Sequence, residues 1–474
     1  MGICGTGMAA LAGMLQAKGY RITGSDGQVY PRMSHFLEKL GIAVSRGYAP
    51  ENLAPRPDLV IVGNVITRIN PEAQALAALT IPYLSFPQAL ALFFIAGKTS
   101  LVITGTHGKT TTCALLAGAL DQAGLEPSFM IGGIVDRFAS NFRLGQGAHF
   151  VVEGDEYDSA FFDKESKFLH YRPNVAVITS IEFDHADIFA DLAAIKAAFA
   201  KFVRLMPADG LLIANLDDPA VREVVAHAPC PVEGYGFSPS LSWSLGDIEV
   251  SGGRSRFTVR RDGKPWSTMT VAMSGRHNCL NSLAVTAVLA RLGLTAQQIG
   301  DGLSSFSGVK RRQEVRGVVG GVTVIDDFAH HPTAVRETLG ALRAAYPGQR
   351  LLAVFEPRTN SSRRAIFQQD YVEAFAAADL VLLREPLPIT DLAPEQLFSS
   401  RRLAEDLHRQ SGQNAQAFAG TDEILERLLA LVRPGDVVAV LSNGGFDDIH
   451  ARLLSRLALS DAAAAKGQAV SGAG

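Results

Sequence analysis

The stretch SLVITGTHGKTTTCALL, residues 100–116, decides how the rest of the chain is interpreted. An apolar run leads into a glycine turn with Gly105 and Gly108, and a helical pattern begins at Lys109. This order brings backbone N–H groups and the positive end of a helix dipole to one point, where an anion such as phosphate binds. Only two residues separate the glycines, whereas a Walker A loop has four at that place. On this motif alone, an ordinary glycine-rich turn therefore stays an alternative.

Length and composition narrow the class of protein. The chain has 474 residues, enough for two or three domains, and its formal net charge is only -3, without a basic arm. The four cysteines stand far apart and form no CxxC pair, which is typical of a reducing compartment. No apolar run approaches the roughly 18 residues that a membrane span needs. We therefore expect a cytoplasmic protein that binds neither nucleic acid nor membrane; composition does not indicate its oligomeric state.

Apolar runs that alternate with helical patterns predict an α/β protein with three domains. We expect a Rossmann-like domain over residues 1–97 and a P-loop ATPase-type domain over residues 98–320. The second domain should hold a mostly parallel sheet and a small antiparallel sheet, since residues 235–273 contain short alternating runs. A second Rossmann-like domain is predicted over residues 321–460. The small and polar residues 461–474 are predicted to form a disordered tail.

Polar side chains follow two further apolar runs, at the point where each predicted strand ends. The run HFVVEGDEYD (149–158) leads to Glu153 and three more acidic residues, and NVAVITSIEFDH (174–185) leads to Asp184 and His185. Because ligands gather at the carboxyl ends of parallel strands, we expect these groups beside the glycine loop. Carboxylates and imidazole bind divalent cations. Taken alone, the acidic run could instead be a solvated loop, and Asp184 and His185 could instead be a helix cap with a neighbouring histidine.

Three motifs further along the chain contain side chains suited to a nucleotide. In SGRHNCLNSL, Asn278 and Asn281 share one helix face, and their amides suit adenine; N-capping by Asn278 is the alternative. GVKRRQEV offers Arg312, which is otherwise a solvated surface arginine. DDFAHHP places Asp327 at a strand end, either to hold a ribose hydroxyl or at a domain hinge.

A second glycine motif, GICGTGMAALAG, opens the chain and contains Gly2, Gly5 and Gly7. Such a motif is typical of the first βα turn of a dinucleotide-type fold, where it binds a diphosphate or packs a helix closely on the sheet. Alone it would suit a dinucleotide-dependent oxidoreductase, which leaves the loop at Gly105 unexplained. That loop alone would suit a P-loop kinase or nucleotide switch, which leaves the C-terminal domain unexplained.

Taken in chain order, these motifs resemble those of the Mur ligase superfamily, the ATP-dependent amide-forming ligases of bacterial cell-wall synthesis. The matching stretches are TGTHGKTTT, EGDEYD, FDHADIF, GRHNCLN, GVKRRQE and DDFAHHPT. The phosphate loop of the superfamily is T-G-T-x-G-K-[ST], which accounts for the short glycine spacing.

Within the superfamily, the resemblance implies an enzyme that joins the tripeptide L-alanyl-γ-D-glutamyl-meso-diaminopimelate to UDP-N-acetylmuramate, in the recycling of cell-wall peptides. The reaction would use ATP and Mg²⁺ and pass through an acyl phosphate. Joining L-alanine to the same sugar is the alternative. The stretches GDEYDSAFFDKESKFLHY, EFDHADIF and FEPRTNSSRR favour the tripeptide.

The resemblance also implies the roles of individual residues. Lys109, Glu153 and His185 would be catalytic, with Thr110 and Glu153 on one magnesium ion and His185 on a second. Asn278 and Asn281 would contact adenine, Arg312 the phosphates and Asp327 the ribose. The remaining residues implied at the ATP site are Gly105, Thr106, His107, Gly108 and Thr111. Those implied at the UDP-sugar are Gly2, Gly5, Thr6, Gly7, Ser25 and Asp26. Those implied at the peptide are Arg358, Asn360 and Asn443.

Overall fold

The computed structural model describes residues 1–29, 31–390 and 392–459, so the tail predicted over residues 461–474 lies outside the described residues. The N-terminal region contains parallel strand pairs and helices. Its elements are α1 (Thr6–Ala17), β1 (Thr23–Asp26), α2 (Pro31–Lys39), β2 (Ala43–Arg46), β3 (Val60–Val62), α3 (Pro71–Ala78), β4 (Tyr83–Ser85) and α4 (Phe86–Leu90). β1 pairs with β2, and β3 pairs with β4. Residues 1–3 join the two pairs, because Gly63 N donates to Met1 O and Gly2 N donates to Ser25 O.

The central region is built on one ten-stranded sheet. Its elements begin with β5 (Thr99–Thr104), α5 (Lys109–Gln122), β6 (Ser128–Val135), β7 (Ser140–Arg143), β8 (His149–Gly154), β9 (Asp158–Ala160), β10 (Asp163–Ser166) and β11 (Val175–Ile178). They continue with α6 (Leu192–Arg204), β12 (Leu211–Asn215), α7 (Pro219–Val225), β13 (Val232–Gly236), β14 (Trp243–Ser251), β15 (Arg254–Arg261), β16 (Lys264–Val271), α8 (Arg276–Arg291) and α9 (Ala296–Ser304). β9 and β10 form a separate two-stranded sheet.

The antiparallel strands β14, β15 and β16 extend the central sheet. The strand order is β16-β15-β14-β13-β12-β11-β5-β8-β6-β7. β14 joins this sheet through two parallel pairs, Tyr235 with Trp243 and Gly236 with Ser244. The antiparallel character predicted for residues 235–273 is therefore confirmed, but these strands continue the main sheet rather than form a sheet of their own.

The C-terminal region holds a six-stranded sheet within the described residues. Its elements are β17 (Glu314–Val319), β18 (Val322–Asp327), α10 (Pro332–Ala345), β19 (Leu351–Phe355), α11 (Asp370–Ala374), β20 (Leu380–Arg384), α12 (Ser400–Ser411), β21 (Asn414–Phe418), α13 (Thr421–Leu431), β22 (Val437–Leu441) and a last helix over residues 449–459. The order is β17-β18-β22-β19-β20-β21, and only β17 is antiparallel to its neighbour. β17 belongs to this sheet although it lies before residue 320, where the sequence predicted the end of the central domain. The domain boundary stays a prediction.

The three strands that end in polar residues are neighbours in the central sheet. β5 lies between β11 and β8 and is parallel to both, so their carboxyl ends meet at one edge, as predicted. The helix α5 that follows β5 is buried from Thr110 to Leu120, and α8 packs beside it in the same hydrophobic core. This packing fixes the position of the glycine loop at the sheet edge.

Candidate active site

The loop between β5 and α5 has the backbone that its glycines indicate. Gly105 has φ +131° and Gly108 has φ +80°, a region that favours glycine. A Cβ added to Gly108 would stand 2.6 Å from Oδ1 of Asn281, and one added to Gly105 would overlap Oγ1 of Thr179. Both positions therefore need glycine, and the N–H groups at the start of α5 face outward as an anion site.

Lys109 folds back across this loop. Its Nζ donates to Gly105 O at 2.6 Å and to Glu156 Oε2 at 2.9 Å. Burial would lower the pKa of Lys109, but the carboxylates of Glu156, Asp155 and Glu153 raise it above its usual value. The ammonium group therefore stays charged in the site at neutral pH.

Thr110 and Glu153 form an oxygen-rich pair beside the anion site. Thr110 Oγ1 donates to Glu153 Oε1 at 2.8 Å, Gly132 N donates to Glu153 Oε2 at 2.7 Å, and Arg312 Nη2 donates to Thr110 Oγ1 at 3.1 Å. Burial and the charge of Asp155 raise the pKa of Glu153. A hydroxyl and a carboxylate next to a phosphate site are hard oxygen ligands, so these residues fit a magnesium ion.

Glu156 connects Lys109 with His185. His185 Nε2 lies 3.4 Å from Glu156 Oε1, and the left-handed backbone of His185 (φ +53°) is held by a hydrogen bond from its N–H to Asp184 Oδ1. Burial would raise the pKa of Glu156, but Lys109 and His185 lower it to about 2. From sequence we predicted a role for Glu153 and regarded Glu156 only as one member of an acidic cluster. The available signal for Glu156 was its position two residues after the end of β8.

A cavity of about 360 Å³ opens beside the glycine loop. The predicted ATP-site residues that line it are His107, Gly108, Thr111, Asn278, Asn281, Arg312 and Asp327. Gly105, Thr106, Lys109 and Thr110 belong to the adjoining loop and helix start and do not line it. The structure thus gathers at one place residues that stand more than 200 positions apart in the chain.

The two asparagines of α8 are buried at the cavity. Asn278 Nδ2 donates to Ser274 O at 2.8 Å, and Asn281 Nδ2 donates to Asn278 Oδ1 at 3.4 Å. The N-cap of α8 is Gly275, without a side-chain capping bond. N-capping by Asn278, the alternative from sequence, is therefore wrong, and contact with adenine stays a prediction.

Asp327 reaches the cavity with both oxygens already occupied. Oδ2 accepts from Gln313 N at 2.7 Å, and Oδ1 accepts from Ala329 N at 2.8 Å and Thr338 Oγ1 at 3.3 Å. Burial raises the pKa of Asp327. These bonds tie the start of β17 to the end of β18, and the contact with ribose stays a prediction.

Sequence reasoning missed a contact between the central and C-terminal regions. Oε2 of Glu182 accepts from Thr333 Oγ1 at 2.6 Å and lies 3.4 Å from His107 Nε2 and 3.6 Å from His331 Nδ1. Burial would raise the pKa of Glu182, but His107, Thr333 and His331 lower it to about 2. No local pattern relates these residues, although Glu182 stands in the same strand end as Asp184.

A second cavity, of about 560 Å³, lies at the N-terminal glycine motif. The predicted UDP-sugar residues that line it are Gly2, Gly5, Thr6, Gly7 and Asp26. Ser25 does not line it, because Ser25 is buried and donates to Glu72 Oε1 at 2.7 Å. Tyr157, Ser159 and Lys167 of the central region line the same cavity, which sequence reasoning did not foresee.

The predicted peptide residues lie on two loops of the C-terminal region. Arg358 and Asn360 follow β19 and are exposed, while Asn443 follows β22. Asn360 Nδ2 donates to Asp187 Oδ2 at 2.9 Å, and Arg311 Nη1 donates to Asn443 O at 3.4 Å. Contact of these residues with a peptide stays a prediction.

Across residues 1–29, 31–390 and 392–459, no helix combines the length and the hydropathy that crossing a membrane requires.

Almost the whole chain matches models of Mur ligase domains. Residues 1–97 match the Mur ligase family catalytic domain, residues 103–289 the Mur ligase middle domain, and residues 311–444 the Mur ligase glutamate ligase domain.

Individual relatives give the same assignment. The UDP-N-acetylmuramate–L-alanyl-γ-D-glutamyl-meso-2,6-diaminoheptandioate ligase of Escherichia coli (strain K12) is 39% identical over 97% of both chains. The crystal structure of a murein peptide ligase from Psychrobacter arcticus 273-4 superposes with a TM-score of 0.71 at 34% identity, covering 96% of this chain and 98% of that one. The UDP-N-acetylmuramate-alanine ligase of Thermotoga maritima superposes with a TM-score of 0.79 at 25% identity, covering 97% and 98%.

Proposed function

The chain belongs to the Mur ligase family, and from that membership we propose that it joins L-alanyl-γ-D-glutamyl-meso-diaminopimelate to UDP-N-acetylmuramate in an ATP-dependent reaction. One observation supports ATP-dependent ligation of a nucleotide sugar: the acidic end of β8 lies between the two cavities. Glu156 contacts Lys109 of the phosphate loop, and Tyr157 lines the cavity at the N-terminal glycine motif. A nucleotide in one cavity and a nucleotide sugar in the other would therefore meet at this strand end.

The proposed reaction has two steps. An oxygen of the lactyl carboxylate of UDP-N-acetylmuramate attacks the γ-phosphorus of ATP, and the bond to the ADP oxygen breaks. The neutral amine of the tripeptide then attacks the acyl phosphate carbonyl, inorganic phosphate leaves, and the amine proton is lost. The products are the amide, ADP and phosphate.

The residues of the loop supply charge and position for this chemistry. The N–H groups at the start of α5 and the ammonium of Lys109 face the phosphate site, where negative charge builds up during transfer. Thr110 and Glu153 would hold one magnesium ion and His185 a second, and bound Mg²⁺ neutralises phosphate charge. Glu156 positions both Lys109 and His185 through its two oxygens.

We propose that the reaction takes place in the cytoplasm, which the scattered cysteines favour, and that it serves the recycling of cell-wall peptides, as the resemblance of the motifs implies. The relative from Escherichia coli, at 39% identity over 97% of both chains, bears the name of the tripeptide ligase.

Addition of L-alanine is the second candidate, because the alanine ligase of Thermotoga maritima has the higher TM-score. A global TM-score depends on how three domains are arranged, whereas sequence identity does not, and the identity is 34% to the murein peptide ligase and 25% to the alanine ligase. We therefore give more weight to identity.

The test is an amide-forming assay with purified protein, ATP, Mg²⁺ and UDP-N-acetylmuramate. Phosphate release is followed with the tripeptide, with L-alanine, or with no amine. We expect release with the tripeptide, together with a product whose mass equals that of the joined substrates. Release with L-alanine alone would replace the proposal by the second candidate, and equal release without any amine would indicate an ATPase or nucleotide switch.

A further inference from the structure

The segment between β8 and β11 leaves the central region and covers the N-terminal one. Ser85 Oγ donates to Asp163 Oδ2 at 3.0 Å, and the rings of Tyr83 and Phe162 meet edge to face at 4.8 Å. Phe161 and Phe162 pack against the N-terminal hydrophobic core. This segment contains the stretch that favoured the tripeptide ligase from sequence, and the structure places it at the cavity of the nucleotide sugar.

Lys167 directly follows β10 in this segment, and it lines that cavity. The side chain is 12% exposed, and Nζ lies 3.3 Å from Asp155 Oδ2 and 4.0 Å from the ring centroid of Tyr157. Its backbone is fixed, because Lys167 N donates to Tyr157 O at 3.1 Å and the next residue, Phe168, is fully buried. The ammonium group is thus held in one place rather than carried on a mobile surface chain.

Lys167 also provides the positive charge of the cavity. Among the lining residues that the structure describes, the other charged side chain is Asp26. Both oxygens of Asp26 accept backbone bonds, from Cys4 N at 2.8 Å and Gln28 N at 3.0 Å. A nucleotide sugar that carries a diphosphate and a carboxylate needs a cation at its site, and a lysine ammonium is a compact point charge for such groups.

The position of Lys167 also relates the sugar cavity to the phosphate loop. Lys167 pairs with Asp155, the neighbour of Glu156. The ring of Tyr157 contacts both the Lys167 ammonium and the His185 ring, and the centroids of the two rings are 5.2 Å apart. A group of the nucleotide sugar bound by Lys167 would therefore lie next to the strand end where phosphoryl transfer is proposed.

We propose that Lys167 binds an anionic group of the nucleotide sugar, either its diphosphate or its lactyl carboxylate. This inference rests on the proposed function. It assigns part of the sugar site to the central region, so that the substrate itself would join the N-terminal and central regions.

The experiment compares Lys167→Met with Lys164→Met in the full-length protein. Lys164 lies in the same segment but is 69% exposed and pairs with Asp158 at 2.6 Å, so its loss controls for a change of charge nearby. Calorimetry measures Kd for UDP-N-acetylmuramate, UDP and ATP, and kinetics measure KM for the nucleotide sugar and for ATP. For Lys167→Met we expect Kd and KM for the nucleotide sugar to rise about 10- to 100-fold, with ATP values unchanged. Lys164→Met should match wild type, and Lys167→Arg should regain most of the affinity.

The outcomes show which anionic group Lys167 binds, and they separate a failure of this inference from a failure of the proposed function. Weaker binding of both UDP and UDP-N-acetylmuramate assigns Lys167 to the diphosphate, and weaker binding of the muramate alone assigns it to the carboxylate. Unchanged affinity in Lys167→Met, or an equal loss for ATP, overturns the inference; the ratio of the two Kd values detects this even if the variant is less stable. Wild-type protein that does not bind UDP-N-acetylmuramate would overturn the proposed function as well.

Discussion

Glu156 is the residue on which the charges of the candidate site converge. One oxygen accepts from Lys109 and the other lies against His185. The carboxyl is almost fully buried, so it depends on these partners for its ionised state. Burial alone would raise its pKa, yet the two partners lower it to about 2. Lys109, which we propose acts in phosphoryl transfer, therefore also stabilises a buried carboxylate.

Replacement of Lys109 by Met is expected to abolish turnover and also to destabilise the protein. Loss of the ammonium leaves Glu156 buried with only His185, which should lower the free energy of unfolding by about 3 kcal/mol. The double variant Lys109→Met/Glu156→Gln should regain most of that stability without regaining turnover. Urea unfolding and the phosphate-release assay measure the two effects. Turnover above a tenth of wild type in the single variant would remove Lys109 from the mechanism.

At the scale of elements, the glycine loop packs against α8 at the start of α5. Gly108 is the N-cap of α5 and lies against Asn281 of α8. The backbone of the loop therefore packs directly on one of the predicted adenine contacts. Further along the same helix, Gly118 has no atom within 4 Å of where a Cβ would stand.

This contrast provides a matched pair of glycine substitutions in one helix. Gly108→Ala forces a side chain into a left-handed backbone and against Asn281, so we expect a loss of about 2 kcal/mol in stability. The same variant should raise KM for ATP at least about 10-fold, because the loop and Asn281 are displaced together. Gly118→Ala should instead gain about 0.5–1 kcal/mol, because alanine favours the helix. Equal effects of the two variants on KM for ATP would contradict the packing argument.

At the scale of the whole molecule, the C-terminal region contacts one loop of the central region, the strand end that follows β11. His331 Nε2 donates to Phe183 O at 3.2 Å, and Thr333, Ser361 and Asn360 bond to other residues of this loop. Burial and the nearby His107 lower the pKa of His331 to about 4, against the opposing charges of Asp184 and Glu182. The ring is therefore neutral in the folded protein near pH 7.

As pH falls, protonation of His331 should weaken the contact between the central and C-terminal regions before Glu182 and Asp184 are protonated. The folded pKa of His331 is about 4, and its unfolded value is about 6.5. The unfolded chain therefore binds the extra proton first, and stability is lost as pH falls from about 6.5 towards 4. His331 should account for about 2 kcal/mol of lost unfolding free energy between pH 7.5 and pH 5. His331→Asn keeps a capping side chain for α10, but asparagine does not titrate. Between pH 7.5 and pH 5 the variant should therefore lose about 2 kcal/mol less unfolding free energy than wild type. Identical pH dependence in the two proteins would contradict the buried neutral state.

Much of the fold was predictable, because its signals are local. The apolar run before Gly105 and the helical pattern after Lys109 predicted the strand, loop and helix that the structure shows. The polar ends of β8 and β11 were expected beside this loop, and both strands are its neighbours. The attachment of β14 to the edge of the central sheet was not predictable, because two residue pairs distant from the motifs decide it.

By itself, the sequence determined the α/β class, the glycine positions that need an unusual backbone, and the order of motifs that marks the family. The class and the glycine positions depend on residues close together in the chain, and each motif is itself a short local stretch. Only the tertiary structure decided that Glu156 is the partner of Lys109, that Ser25 bonds to Glu72 away from the cavity at the N-terminal glycine motif, and that Lys167 lines that cavity. The physical reason is that hydrogen bonds and ion pairs depend on distances of about 3 Å, and packing between distant segments sets those distances.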